Sequence, residues 1–189
     1  MAPRTKVAGR ATLVAVVVVI VVAGALLFAF PTSTPVALTT GTITVSKGAD
    51  AIVSTAVQTD PAGFTLATST QQPSVSSYWA TLQNSDGSEA NVTAIVFPSS
   101  NASLAYFDDL VAGVRGLPGY TDISATLVPF QRYGACYGYG EDVDNIAVVN
   151  GFCVKGNAFL QVHLVSGIAF SALEEDLASI MGALYQSAT

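Results

Sequence analysis

Hydrophobic positions along the chain form one long block and then a series of short runs with changing period. Residues 11–30 read ATLVAVVVVIVVAGALLFAF, twenty positions without a charge. At about 1.5 Å per residue, a helix of that length spans roughly 30 Å, the depth of a bilayer's hydrocarbon core. Val and Ile are moderate helix formers in water, but in lipid every backbone polar group needs an internal partner, so helix is the expected form. Arg4, Lys6 and Arg10 precede the run, and no Lys or Arg follows until Lys47. The positive-inside bias therefore predicts a basic cytoplasmic tail (1–10), a single span from Ala11 to Phe30, and export of everything after it. Ala23-Gly24-Ala25 resembles a signal-peptide cleavage site, but the apolar residues continue beyond it to Phe30, past the usual 7–15 residues of a cleaved signal. The expectation is an uncleaved anchor in the cell membrane with the C-terminal domain outside.

After a Thr- and Pro-rich linker (31–41), the apolar runs shorten. Residues 42–46, 63–68, 77–82 and 92–97 are rich in β-branched and aromatic residues between turn signals and read as strands. Residues 49–58 fit helix or strand. A helix fits 102–115, with Asn101 as N-cap, a Gly116-Leu117-Pro118-Gly119 stop, and Leu104, Phe107, Leu110, Val111 and Val114 on one face. A second fits 173–186, where Ser171 and Glu174 have capping-box spacing and Leu173, Leu177, Ile180, Met181 and Leu184 form the buried stripe. Between the helices, 123–132, 135–143, 146–154 and 158–165 are strand-sized. The order predicts an α+β domain over 42–189: an antiparallel sheet with two main helices packed on one face.

Two short turns fix a register within that sheet. A two-residue turn at Asp144-Asn145 sets Val143 opposite Ile146 and, counting outward, Cys136 directly opposite Cys153. Their position falls in the non-hydrogen-bonded class, with Cα atoms about 4.5 Å apart, within reach of a disulfide. Outside the cytoplasm a disulfide is the expected state, and the spacing is unlike the C-x-x-C of a redox pair. A second turn at Gly156-Asn157 sets Lys155 opposite Ala158 and Cys153 opposite Leu160. One face then carries Cys136, Gly138, Gly140, Ala147, Val149, Gly151, Leu160, Val162 and Leu164, small and apolar enough for a helix to approach closely. The other carries the rows Tyr139–Asn150–His163 and Tyr137–Phe152–Gln161, a mixture of aromatic and polar groups suited to holding a ligand or partner.

Composition narrows the chemistry. Net charge is −6, and after residue 30 four cations stand against thirteen acids, leaving −9. Nucleic acid, which requires a basic face, is excluded as a partner. Two cysteines and one histidine are too few for a four-ligand zinc site. Residues 141–145 (EDVDN) cluster oxygen ligands but lack the Gly and terminal Glu of an EF-hand loop. The glycine-rich stretch 134–140 fits a strand and opens no helix, so it is no phosphate cradle. Neither a metal nor a cofactor is expected. Tyr78 and Trp79 read as core, and Arg115 and Arg132 as structural.

These features predict a membrane-anchored, noncatalytic binding module. Tyr137, Tyr139, Asn150, Phe152, Gln161 and His163 would face another envelope protein or a small ligand, with Cys136–Cys153 as the staple. The alternatives are a hydrolase built on His163 with a serine supplied by a loop, and a structural component of an envelope assembly. In the first, the neighbours inferred for His163 are Asn150 and Tyr139 rather than a hydroxyl nucleophile.

Overall fold

Strands β1 (Thr65–Gln72), β2 (Ser77–Gln83) and β3 (Glu89–Val96) form a meander, and β5 (Cys136–Val143), β6 (Ile146–Lys155) and β7 (Ala158–Ser166) form another. The two join where β3 pairs with β7, and the two-residue β4 (Thr121–Asp122) closes the far edge. The result is one antiparallel sheet in the order β1-β2-β3-β7-β6-β5-β4. This is a computed structural model that describes residues 44–189 apart from 73–75, 116, 144–145 and 168. The expected tail, span and linker lie outside those residues. No helix among the described residues is long and apolar enough to cross a membrane.

Both hairpin registers are as the turns dictate: Cys136 opposes Cys153 and Val143 opposes Ile146, while Lys155 opposes Ala158 and Cys153 opposes Leu160. The small apolar face is covered as expected. Helix α3 (Phe170–Ser187) presses Leu173, Leu177, Ile180, Met181 and Leu184 into it, all essentially buried. The glycines permit the close approach. A Cβ on Gly151 would meet Leu177 Cδ1 at 2.8 Å, and one on Gly140 would collide with the Phe170 ring. Helix α1 (Ala49–Val57), the stretch whose pattern fitted either element, lies beside α3 and adds Ile52, Val53 and Ala56 to the same core.

The α+β expectation holds, but not with both main helices on one face. Helix α2 (Ser100–Val114) packs on the opposite face, where Phe107 and Val111 meet Tyr137, Phe152, Val154 and Phe159. Four large side chains at the β6–β7 turn end of that face would otherwise be wet, and burying each is worth about 1.5–3 kcal/mol. Ser103 adds a polar tie, its hydroxyl lying 2.7 Å from the Gly156 carbonyl in the turn.

Other boundaries differ for local reasons. Residues 123–132, expected as a strand, are mostly taken up by a 3-10 segment, Ser124–Tyr133. The Asp122 carboxylate accepts from Ser124 N–H at 2.8 Å, and Ile123 and Leu127 reach the core at helical spacing. Pro129 lies inside this segment, where its missing N–H suits a short turn better than a ladder. The described part of 42–46 is no strand; it runs irregularly into α1. The N-cap of α2 is Ser99, accepting from Ala102 N–H, rather than Asn101. Helix α3 begins at Phe170, so Ser171 is already inside it and forms no capping box; its N-cap, Ala169, makes no side-chain bond.

Candidate functional site

Strand alternation fixes which side chains share the outer face, and pairing fixes which stand side by side. The row Tyr139–Asn150–His163 continues through Asn91 on β3 and Thr81 on β2 to Thr68 on β1. The row Tyr137–Phe152–Gln161 continues through Thr93 and Trp79 to Thr70. Both expected rows are present in register. They run from a covered end to an open one.

Helix α2 covers the first end. Phe152 is 1% exposed and Tyr137 7%, so these two belong to the second core cluster and offer little to a ligand. Arg115, at the C-terminal end of α2, holds its guanidinium 5.2 Å from the Tyr137 ring centroid, the structural role its isolation suggested. Tyr139 is half-buried, meeting Tyr120 edge-on at 4.9 Å and Phe152 at 5.8 Å between centroids. Burial, reinforced by Tyr120, Glu141 and Tyr137, pushes its hydroxyl up to about 12.

His163 and Gln161 are half-buried and stand at the margin. The His163 ring is held by Asn150, with Nδ1 2.7 Å from Oδ1. With Oδ1 accepting, Nδ1 carries the proton and Nε2 keeps its lone pair. Burial pushes the imidazole below its usual value, and the Glu89 charge opposes that shift. A hydrolase needs a nucleophilic hydroxyl at the base, whereas the residues directly opposite His163 on its two neighbouring strands are Asn91 and Asn150.

The open end lies beyond α2. Trp79 is 39% exposed there rather than in the core. Around it stand Thr68, Thr70, Thr81, Asn91, Thr93 and Gln161, with Thr81 Oγ1 donating to Asn91 Oδ1 at 2.8 Å. As part of this face only Gln161 was anticipated; the residues on β1, β2 and β3 were not. Their alternation within TLATSTQQ and EANVTAIV places polar groups on one face, but the β3–β7 pairing that brings them beside His163 joins strands far apart in sequence, and no local turn signals it. What the surface offers chemically is a set of donors and acceptors around one indole, bordered by the Glu89 carboxylate, which accepts from Asn91 Nδ2 at 3.2 Å.

Cys136 and Cys153 lie on the opposite, inner face and are disulfide-bonded, with Cα atoms 4.2 Å apart. Among the described residues, no group of three or more His, Cys, Asp or Glu is placed to hold a metal ion. No protein-family model matches the chain, and comparison with curated proteins finds no relative.

Proposed function

We propose that the chain is a noncatalytic binding module, anchored in the cell membrane by residues 11–30 and displaying its α+β domain outside the cytoplasm, where it engages another envelope protein or a small ligand. The membrane and export parts rest on the apolar run and the basic residues before it. The disulfide-bonded pair suits an oxidising compartment.

The observation that carries the binding reading is the uncovered half of the outer sheet face. Trp79, Thr93, Gln161, Asn91 and His163 stand together there in register, uncharged at neutral pH, on a domain that otherwise carries a net −9. Exposed aromatic side chains among hydrogen-bonding groups are characteristic of recognition surfaces, since they supply contact area and directional polarity together. Tyr139 and Asn150 act from behind, the first as a wall and the second by orienting the His163 ring.

The test is a double substitution, Trp79→Ala with Gln161→Ala, in the full membrane-embedded chain. Both side chains are partly solvated, so far-UV circular dichroism and the melting midpoint should stay close to wild type. Cross-linking in native membranes should lose the adducts formed by the wild-type chain. A variant that keeps every adduct at wild-type yield removes this face as the binding surface.

A further inference from the structure

The open end of the outer face sets one large aromatic group among groups that bond in both directions. Trp79, 39% exposed, is flanked in its row by Thr70 and Thr93, side chains too short to cover an indole. One row along, Thr81, Asn91 and His163 stand side by side. One row further, the Glu89 carboxylate accepts from Asn91 Nδ2. From Thr93 to Glu89 is four residues of β3, about 13 Å of strand. The patch is elongated, with an indole at one end and a carboxylate at the other.

We infer that this patch binds a neutral glycan chain, laid along β3 with one sugar ring on Trp79. The inference rests on the binding reading above and names its ligand. Two features select that ligand. The C–H bonds on one face of a pyranose carry partial positive charge, which suits the negative face of the indole π-system. Sugar hydroxyls both donate and accept, so they match the threonine hydroxyls, the amides of Asn91 and Gln161, the Nε2 lone pair of His163 and the acceptor-only carboxylate of Glu89. Charge and apolar content disfavour the competitors. Phosphates, sulfates and carboxylates would meet Glu89 on a domain of net −9, and β1, β2, β3 and β7 contain no Lys or Arg. A protein partner needs an apolar centre to bury, whereas Trp79 has threonine on either side of it.

The experiment is a fluorescence titration of the full chain in a detergent without a sugar head group. The probes are neutral hexasaccharides of glucose, mannose and N-acetylglucosamine. Trp79 is the chain's only tryptophan, so its emission reports on this face alone. At least one probe should shift that emission saturably to the blue, as a sugar ring displaces water from the indole. Thr93→Ala with Gln161→Ala keeps the reporter and should need about tenfold more of that probe for half the shift, with circular dichroism unchanged. In calorimetry, Trp79→Ala should weaken binding of the same probe by more than about tenfold, and Trp79→Phe should retain part of it. A hexamer of galacturonic acid, similar in size but anionic, should give no shift. Absence of a shift with every neutral probe overturns the inference, and so does a galacturonate hexamer that binds as tightly as the neutral ones. Cross-linking in native membranes then separates this failure from that of the wider reading. Adducts that depend on Trp79 and Gln161 would leave the face as a protein-binding surface, and adducts that survive their removal would dismiss the face altogether.

Discussion

Asn157, in the β6–β7 turn, accepts the backbone N–H of Val45 on Oδ1 at 2.6 Å and donates from Nδ2 to the Phe97 carbonyl at 3.0 Å. One side chain, 7% exposed, thus fastens the entry to α1 and the exit of β3 to the end of the central hairpin. Asn157→Ala leaves a buried donor and acceptor without partners, a loss of about 1–3 kcal/mol each. Urea unfolding should show a lower midpoint with an unchanged slope. Asn157→Asp keeps the acceptor but sets a carboxylate oxygen against the Phe97 carbonyl and buries a charge, so its midpoint should fall at least as far as that of Asn157→Ala. Equal midpoints for wild type and Asn157→Ala would mean that water replaces both bonds.

The C-terminal end of α3 is served by cations from elsewhere in the chain. Lys155 Nζ donates to the Tyr185 carbonyl at 2.7 Å and lies 4.7 Å from that residue's ring centroid. Lys47 Nζ donates to the Ser187 carbonyl at 2.9 Å. Both complement the negative end of the helix dipole. Burial, with Lys47 close by, holds the Lys155 ammonium below its usual range. Lys155→Met keeps the stem and removes the donor, and should cost about 1–3 kcal/mol through the buried Tyr185 carbonyl. Hydrogen exchange should quicken first in the last turn of α3, and loss of protection confined to other elements would contradict this role.

These two residues show where the sequence was legible and where it was not. Turns that close on neighbouring strands carry their register locally, so the opposition of Cys136 to Cys153, and of Asn150 to both Tyr139 and His163, follows from counting. The partners of Asn157 and Lys155 lie 112, 60 and 30 residues away, and no local pattern encodes them. Helix stripes were equally plain, yet a stripe states only that a face is buried. Phe107 and Val111 match either side of the sheet. What decides is that Phe152, Val154 and Phe159 needed cover while α1 and α3 had already filled the other side. That choice halved the exposed surface anticipated from the two rows, and the β3–β7 pairing supplied a different half.

His163 gives the fold a pH dependence with a definite sign. Its folded value is lowered from the ordinary figure near 6.5, burial outweighing the attraction of Glu89. The unfolded chain therefore binds a proton more readily than the folded one. Stability from this group is complete above the unfolded value and is lost as pH falls through 6.5 toward the lower folded value. His163→Gln can still hydrogen-bond to Asn150 and does not titrate. Its unfolding free energy should fall less than wild type between pH 7 and 5, and parallel curves would show that other groups carry the dependence.

The disulfide tests compartment and fold together. Both cysteines are nearly inaccessible, Cys153 at 0% and Cys136 at 9% exposed, so reductant should reach them slowly while the domain is folded. In protein trapped by acid from intact cells, alkylation in denaturant before reduction should label neither thiol, and alkylation in denaturant after reduction should label both. Two thiols already labelled in the first step would place the domain in a reducing compartment, and export with it would fall. Removing the bond by Cys136→Ala with Cys153→Ala frees a loop of about sixteen residues in the unfolded chain. The cost is about 3 kcal/mol on the chain-entropy account. Because, among the described residues, β5 pairs only with β6 and the two residues of β4, hydrogen exchange in the variant should quicken in β5 before β7. Simultaneous loss across β5, β6 and β7 would mean that the bond stabilises the sheet as a whole rather than clamping its edge.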